Sequence, residues 1–358
     1  MRGRAKLYID PDESFDSNPN LRCRESLIKD NYDDYFTNDS FEVYYSYQEN
    51  NEIMVVSPNK DNEIRIMRLK DKKIKKILRN HASSVCHVRH FFNPKTKIDY
   101  LLSIDDEKII NIWDLSNNYN LKQTLKLNYK NIYSAIMVFE KENDYIVTST
   151  YNNDNLYEDF TKIFFFENGR FVRNIPHTNI NQTYYLLEWV NPNNNQSYVI
   201  DFCLGKILIN KLKEEEKYGE LKANVLFEVG LTYYRGCVIG EKKEKLCALC
   251  EGGYIHIWNL IELNLIHTIK IKNGILNNLL KWSNRYIIVS DKKNKSYYVI
   301  DLQIQKVVTS SNKHNQYFIK SFKKIIHPKY GECLITCNHA HYIQLWSLAQ
   351  NFQYKTDI

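Results

Sequence analysis

The chain has 358 residues, a formal net charge of +7, 43% hydrophobic residues and 25% charged residues. That length and apolar content bury a large core and exclude a disordered or fibrous polymer. No apolar run reaches the roughly 20 residues of a spanning helix, and a charge this mild, interrupted by acidic clusters such as Glu214-Glu215-Glu216, argues against a nucleic-acid stripe.

Residues 1–38 read as a polar N-terminal arm, either disordered or docked on a partner. Asp10-Pro11-Asp12-Glu13-Ser14 and Asp30-Asn31-Tyr32-Asp33-Asp34 oppose a buried strand there. Met1 to Tyr8 has no apolar signal core. The first strand-rich unit runs from Phe41 through Leu78 and contains Glu63-Ile64-Arg65-Ile66-Met67-Arg68-Leu69. The second places Ser84 to Phe92, Tyr100 to Ile104, Ile109-Ile110-Asn111-Ile112-Trp113-Asp114-Leu115 and Leu121 to Leu127 in order, which is four strands separated by polar turns. Similar third strands follow at Lys162 to Phe166, Lys206 to Leu212, Tyr254 to Leu260, Ser296 to Leu302 and Tyr342 to Leu348. The aligned positions are Met67, Trp113, Phe166, Asn210, Trp258, Ile300 and Trp346, spaced by about 46, 53, 44, 48, 42 and 46 residues, the period of a four-stranded propeller blade.

Runs such as Tyr286-Ile287-Ile288-Val289-Ser290 are apolar on both faces, as expected for strands sandwiched between neighbouring blades. Gly is scarce, at 11, and Asn supplies the left-handed turn positions instead. The segments Tyr151 to Thr161 and Glu214 to Lys222 read as polar insertions that lengthen the third and fourth units. The last unit lacks a clear fourth strand. Phe352-Gln353-Tyr354-Lys355 in the tail (residues 349–358) and Lys6-Leu7-Tyr8-Ile9 in the arm compete to close the ring.

The repeats resemble the WD-repeat family of seven-bladed propellers. The resemblance rests on Trp113-Asp114, its variants Trp258-Asn259 and Trp346-Ser347, and the period, and it covers residues 39–348. It implies a hydrogen-bonded set of His, Ser or Thr, Asp and Trp within a blade. His81, Ser103 and Trp113 supply three members in the second unit, while Asp105-Asp106-Glu107 leaves the Asp register open. Arg two residues after the Asp, which the resemblance associates with ubiquitin-ligase substrate receptors, is replaced here by Ser116.

Chemistry-bearing motifs are few. Phosphate-cradling, nucleophile-elbow and zinc-protease signatures are absent from the sequence. Cys247 and Cys250 lie three apart on a strand, so their thiols point to opposite faces. Cys333 and Cys337 share a face but stand roughly 13 Å apart, too far for one zinc ion with His339 and His341. Tyr233-Tyr234-Arg235-Gly236 faintly resembles the Arg-Arg-Gly motif of phosphoinositide-binding autophagy propellers, with Arg235 and Gly236 as the lipid-binding candidates and Tyr234 in place of the first Arg.

The expected protein is therefore an all-β, seven-bladed propeller of four-stranded antiparallel blades. Its expected role is that of a non-catalytic scaffold for protein–protein interaction in a cytoplasmic or cytoskeletal assembly, with no cofactor and no metal. Membrane lipid and RNA rank behind protein as partners.

Overall fold

The computed structural model describes residues 21–29, 41–58, 61–127, 131–151, 160–176, 183–213, 217–221, 232–311, 319–338 and 342–348. Their strands form seven separate four-stranded antiparallel sheets. Within each of the first six blades, strand order follows chain order from the channel to the rim. The innermost strands are Glu42–Ser46, Val85–Asn93, Asn131–Phe139, Thr183–Val190, Tyr233–Ile239, Leu276–Lys281 and Ile319–His327. The meander puts two kinds of turn on one face of the ring: those joining inner to second strands, and those joining third to outer strands. We call this the lower face. The remaining connections lie on the upper face.

Burial explains the apolar runs. All six residues of Tyr286–Asp291, a second strand, are buried, whereas the outer strand Asn120–Lys126 buries only Leu125. Middle strands are covered by blades on both sides; outer strands have one covered edge. The core is accordingly divided into seven apolar clusters, one at each seam between adjacent blades. Trp113 shares an apolar cluster with Met54, Val56 and Ile66 of blade 1, and Trp258 shares one with Trp189, Tyr198 and Phe202 of blade 4. Fully burying one such side chain contributes roughly 1.5–3 kcal/mol.

Polar clasps accompany the apolar seams. Asn62 Nδ2 donates to the Ala82 carbonyl (2.8 Å), Asn93 Nδ2 to Asp144 Oδ2 (3.0 Å) and Arg173 Nε to the Leu212 carbonyl (3.1 Å). Trp189 Nε1 donates to the Lys243 carbonyl (2.8 Å), and Tyr234 Oη to the Leu276 carbonyl. Asn277 and Asn278 donate to the Ile319 and Lys320 carbonyls (2.7 and 2.8 Å). Blade 7 meets blade 1 through Lys323 and Glu42 (2.8 Å). Apart from the side-chain pairs Asn93–Asp144 and Lys323–Glu42, these bonds satisfy backbone carbonyls that the inner edges and turns would otherwise leave without partners.

Three expectations change. The outer strand of blade 7 is Leu21–Lys29, paired antiparallel with Tyr342–Leu348 from Leu21 opposite Leu348 to Lys29 opposite Tyr342. The arm drawn at residues 1–38 thus contributes a strand to the ring, from a stretch that was not a candidate; Lys6–Ile9 and the tail 349–358 lie outside the described residues. An outer strand is covered along one edge and one face, so it tolerates the polar residues that masked it. Second, part of the supposed insertion Glu214 to Lys222 is the outer strand of blade 4, Lys217–Leu221. Leu221 is fully buried, and the Tyr218 ring lies 4.8 Å from that of Tyr198. Residues 152–159 of the other supposed insertion lie outside the described residues.

The third change concerns the Trp register. At six seams between third and outer strands the pairing skips one residue, a β-bulge that increases local twist. It falls at Met67, Trp113, Asn210, Trp258 and Ile300, as aligned in the sequence. In blade 3 it falls at Phe164, not Phe166. Phe164 opposes Ile146 just as Trp113 opposes Leu101, and the Phe166 amide bonds to the Asp144 carbonyl as the Leu115 amide bonds to that of Asp99. Phe166 therefore occupies the position two beyond the Trp. Trp346 opposes Leu334 in the equivalent place.

Candidate interaction surfaces

On the upper side of blade 2 the four-membered polar set is complete. Trp113 Nε1 donates to Ser103 Oγ (2.9 Å), Ser103 Oγ lies 2.8 Å from His81 Nε2, and His81 Nδ1 lies 2.9 Å from Asp105 Oδ2. Asp105 is thus the acid that the sequence left open, and its other oxygen accepts from the Ile109 amide (2.9 Å). The chain of bonds is satisfied when Nδ1 carries the imidazole proton and Nε2 accepts. Burial lowers the His81 pKa, partly offset by Asp105, so the ring is neutral. Asp114, beside Trp113, caps the next turn through the Ser116 and Asn117 amides (3.0 and 2.9 Å). These groups tie strands together and expose nothing reactive.

Other blades keep the geometry with altered chemistry. Trp346 Nε1 donates to Thr336 Oγ1 (2.8 Å). In blade 4, Asn210 replaces Trp and Asp201 replaces Ser; Asn210 Nδ2 donates to Asp201 Oδ2 (3.0 Å), which also accepts from Thr161 of blade 3 (3.0 Å). In blade 5 the Ser place holds Ala248, and the Trp258 indole nitrogen is buried without a hydrogen-bond partner. His256 stands opposite Ala248, where blade 2 has Asn111 opposite Ser103.

The sequence candidates for ligand chemistry are placed as follows. Arg235 lies on the innermost strand of blade 5, is 8% exposed and holds its guanidinium carbon 4.9 Å from the Tyr185 ring centroid of blade 4. Arg89 of blade 2 approaches the same ring to 5.3 Å, and its Nη1 donates to the Leu186 carbonyl (3.1 Å). Two guanidiniums stacked on one tyrosine brace blades 2, 4 and 5 across the channel. Nothing in the run Val85 to Phe92 marks Arg89 for this role. At Gly236 an added Cβ would sit 2.5 Å from the Phe202 ring and 2.8 Å from the Cys247 carbonyl. Gly236 is there for close approach of two blades. A headgroup could meet the Arg235 charge only if this packing opened.

Cys247 and Cys250 point into different seam clusters, while Cys333 and Cys337 share one, as the strand period requires. Burial pushes the Cys237 thiol up to about 12, leaving it protonated. His339 and His341 lie outside the described residues, and among the described residues no group of His, Cys, Asp and Glu could hold a metal ion. No helix among them is long and apolar enough to cross a membrane.

The lower face carries grooves between blades. One of about 470 Å³ lies between blades 2 and 3, lined by Lys95, Tyr100, Lys122, Asp144, Phe165 and Arg170. A neighbour of about 590 Å³ lies between blades 3 and 4. Some of their charges are paired, Lys95 with Asp144, and Lys213 with Glu142 (2.8 Å) and Glu140 (3.4 Å), while Lys122 and Arg170 lie over the Phe166 and Phe165 rings. Glu188, in the second groove, has its pKa raised by burial and accepts from Ser197 Oγ (3.2 Å). Such surfaces can hold side chains of another molecule. They do not align a nucleophile with a base.

No family model matches the chain, and no curated protein matches it in sequence. Among solved structures it is similar to the β-propeller domain of Myceliophteria thermophila Cps50 (Swd1), with a TM-score of 0.69, 13% identity, and coverage of 92% of this chain and 100% of that one. At that identity the likeness shows a common fold, the β-propeller, whose seven blades are those described above. A total of 1575 solved chains match, a breadth that identifies architecture and names no partner.

Proposed function

We propose that the chain is a non-catalytic scaffold for protein–protein interaction, a propeller subunit of a larger cytoplasmic or cytoskeletal assembly. One observation carries this reading: the polar groups that could do chemistry are spent on bracing blades. Asp105, His81, Ser103 and Trp113 form one bonded chain, Arg89 bridges the channel, and Lys95 and Lys213 in the grooves are paired with acids. What remains available is surface: turns at two ends of a rigid ring. The buried thiols suit a reducing compartment, which supports the cytoplasmic assignment. The buried guanidinium of Arg235 speaks against a headgroup reader built on that residue.

The test is affinity purification of the tagged full chain from its own cells, followed by mass spectrometry and native sizing. A reproducible set of proteins co-eluting with the chain at fixed ratio is the expected result. Recovery of the chain alone, at its monomer size, overturns the proposal.

A further inference from the structure

The lysine run Lys70–Lys76 and a group of exposed apolar residues both lie on the lower face. On blade 7, Ile326 is 64% exposed and its amide donates to Tyr45 Oη of blade 1. Tyr45 itself is 39% exposed. Two residues on, Tyr47 is 49% exposed, with its ring 5.6 Å from that of Phe92 on blade 2. These four side chains cross three consecutive inner corners beside the channel. Farther out on blade 1, the third-to-outer turn presents Lys70, Lys72 and Lys73 next to exposed Ile74. Lys97 Nζ lies 6.0 Å from the Phe92 centroid and Lys329 Nζ 5.0 Å from that of Tyr330.

Most carboxylates at these corners are committed. Asp71 pairs with Arg68 (2.8 Å), Glu49 with Lys75 (3.1 Å), Glu42 with Lys323 (2.8 Å) and Asp99 with His90 (2.9 Å). Glu332 pairs with Lys324. Glu52 and Asp114 remain, against Lys70, Lys73, Lys97 and Lys329, for which no ion pair is formed among the described residues; Asp114 accepts only from the Ser116 and Asn117 amides. Exposed apolar residues scattered singly need no explanation; apolar side chains gathered on adjacent corners within a basic surround mark an interaction site.

We propose that the lower face of blades 7, 1 and 2 docks an acidic segment of a partner protein. Large apolar side chains of that segment seat on Ile326, Tyr45, Tyr47 and Phe92, and its carboxylates meet the surrounding lysines. The basic surplus selects an acidic partner and sets the orientation of encounter. The ring geometry favours protein over bilayer: Tyr45, Tyr47 and Phe92 are each less than half exposed and lean on neighbours, giving a flat face on which side chains pack. The proposal rests on the scaffold reading and adds the chemistry and place of the partner.

The test uses the full chain on arrays of short synthetic peptides in which Leu and Phe are set among Asp and Glu. Matched arrays carry Gln or Lys in place of the acids, and vesicles of phosphatidylserine and phosphatidylcholine form a third arm. Selective retention by the acidic apolar peptides is expected. So is a loss of affinity of about tenfold or more in the variant Tyr47→Ser/Ile326→Ser, with a similar loss in Lys70→Glu/Lys73→Glu. All four positions are exposed, and unchanged thermal unfolding shows that the ring is intact. Equal binding to the Gln arrays, undiminished binding by both variants, or binding to vesicles alone overturns the proposal. If co-purifying proteins stay with the variants while the arrays show no preference, this inference fails and the scaffold reading stands. If no protein co-purifies with any form, the scaffold reading fails.

Discussion

Acidification should destabilise this protein through the buried imidazole of His256. The ring lies on the third strand of blade 5, fully buried, with Tyr233 Oη 2.8 Å from Nδ1 and Nε2 without a hydrogen-bond partner. No carboxylate offsets its burial, which lowers the pKa from 6.5 to about 4. The unfolded chain then binds a proton that the folded chain refuses, so stability falls as pH drops below about 6.5 and the loss levels off near pH 4. Linkage gives a loss of about 2 kcal/mol at pH 5 and about 3 kcal/mol at pH 4 relative to pH 7.5. His81, whose pKa is also lowered by burial, adds a loss of the same sign. The His256 share is isolated by comparing urea unfolding of the natural chain and of His256→Gln from pH 7.5 to 4. The two stability curves should converge on acidification by about 2 kcal/mol at pH 5, because the variant lacks the titrating group. Parallel curves would refute the assignment of a buried neutral imidazole.

Other perturbations address the ring itself. Ala248→Ser places a hydroxyl where blade 2 has Ser103, within reach of the Trp258 indole that lacks a partner; thermal unfolding should show stabilisation of about 1 kcal/mol, and destabilisation would show that the equivalence is wrong. Gly236→Ala drives a methyl into the Phe202 ring and the Cys247 carbonyl and should cost about 2 kcal/mol or more in urea unfolding, whereas a neutral effect would mean blades 4 and 5 are looser than described. Removing residues 1–38 deletes Leu21–Lys29 and exposes the edge of Tyr342–Leu348, so that form should melt lower and aggregate in light scattering.

The period and the paired apolar faces were legible in the chain because a strand covered on both sides must be apolar throughout. The bulge between third and outer strands falls at Met67, Trp113, Asn210, Trp258 and Ile300, and Asn with positive φ at Asn50, Asn62, Asn118 and Asn195 takes turn positions that Gly would otherwise fill. Lys72, Lys97 and Lys243 share that conformation and gave no advance sign of it. Register was ambiguous where chemistry was uniform. Three phenylalanines in succession, Phe164 to Phe166, satisfy an apolar pattern in either frame, and only pairing with Ile146 and the bulge against Phe171 selects Phe164. Asp105 was one of three adjacent acids until the fold brought its carboxylate to His81. Leu21–Lys29 and Lys217–Leu221 were hidden because an outer strand needs little apolar surface. Arg89 meets Leu186 across a separation of 97 residues, and Tyr45 meets Ile326 across 281. Local sequence specifies which segments become strands, since backbone conformation and two-sided burial act over a few residues. Closure of the ring, the brace across the channel and the joined apolar corners depend on contacts between distant blades, and those exist only once the whole chain has been arranged around one axis.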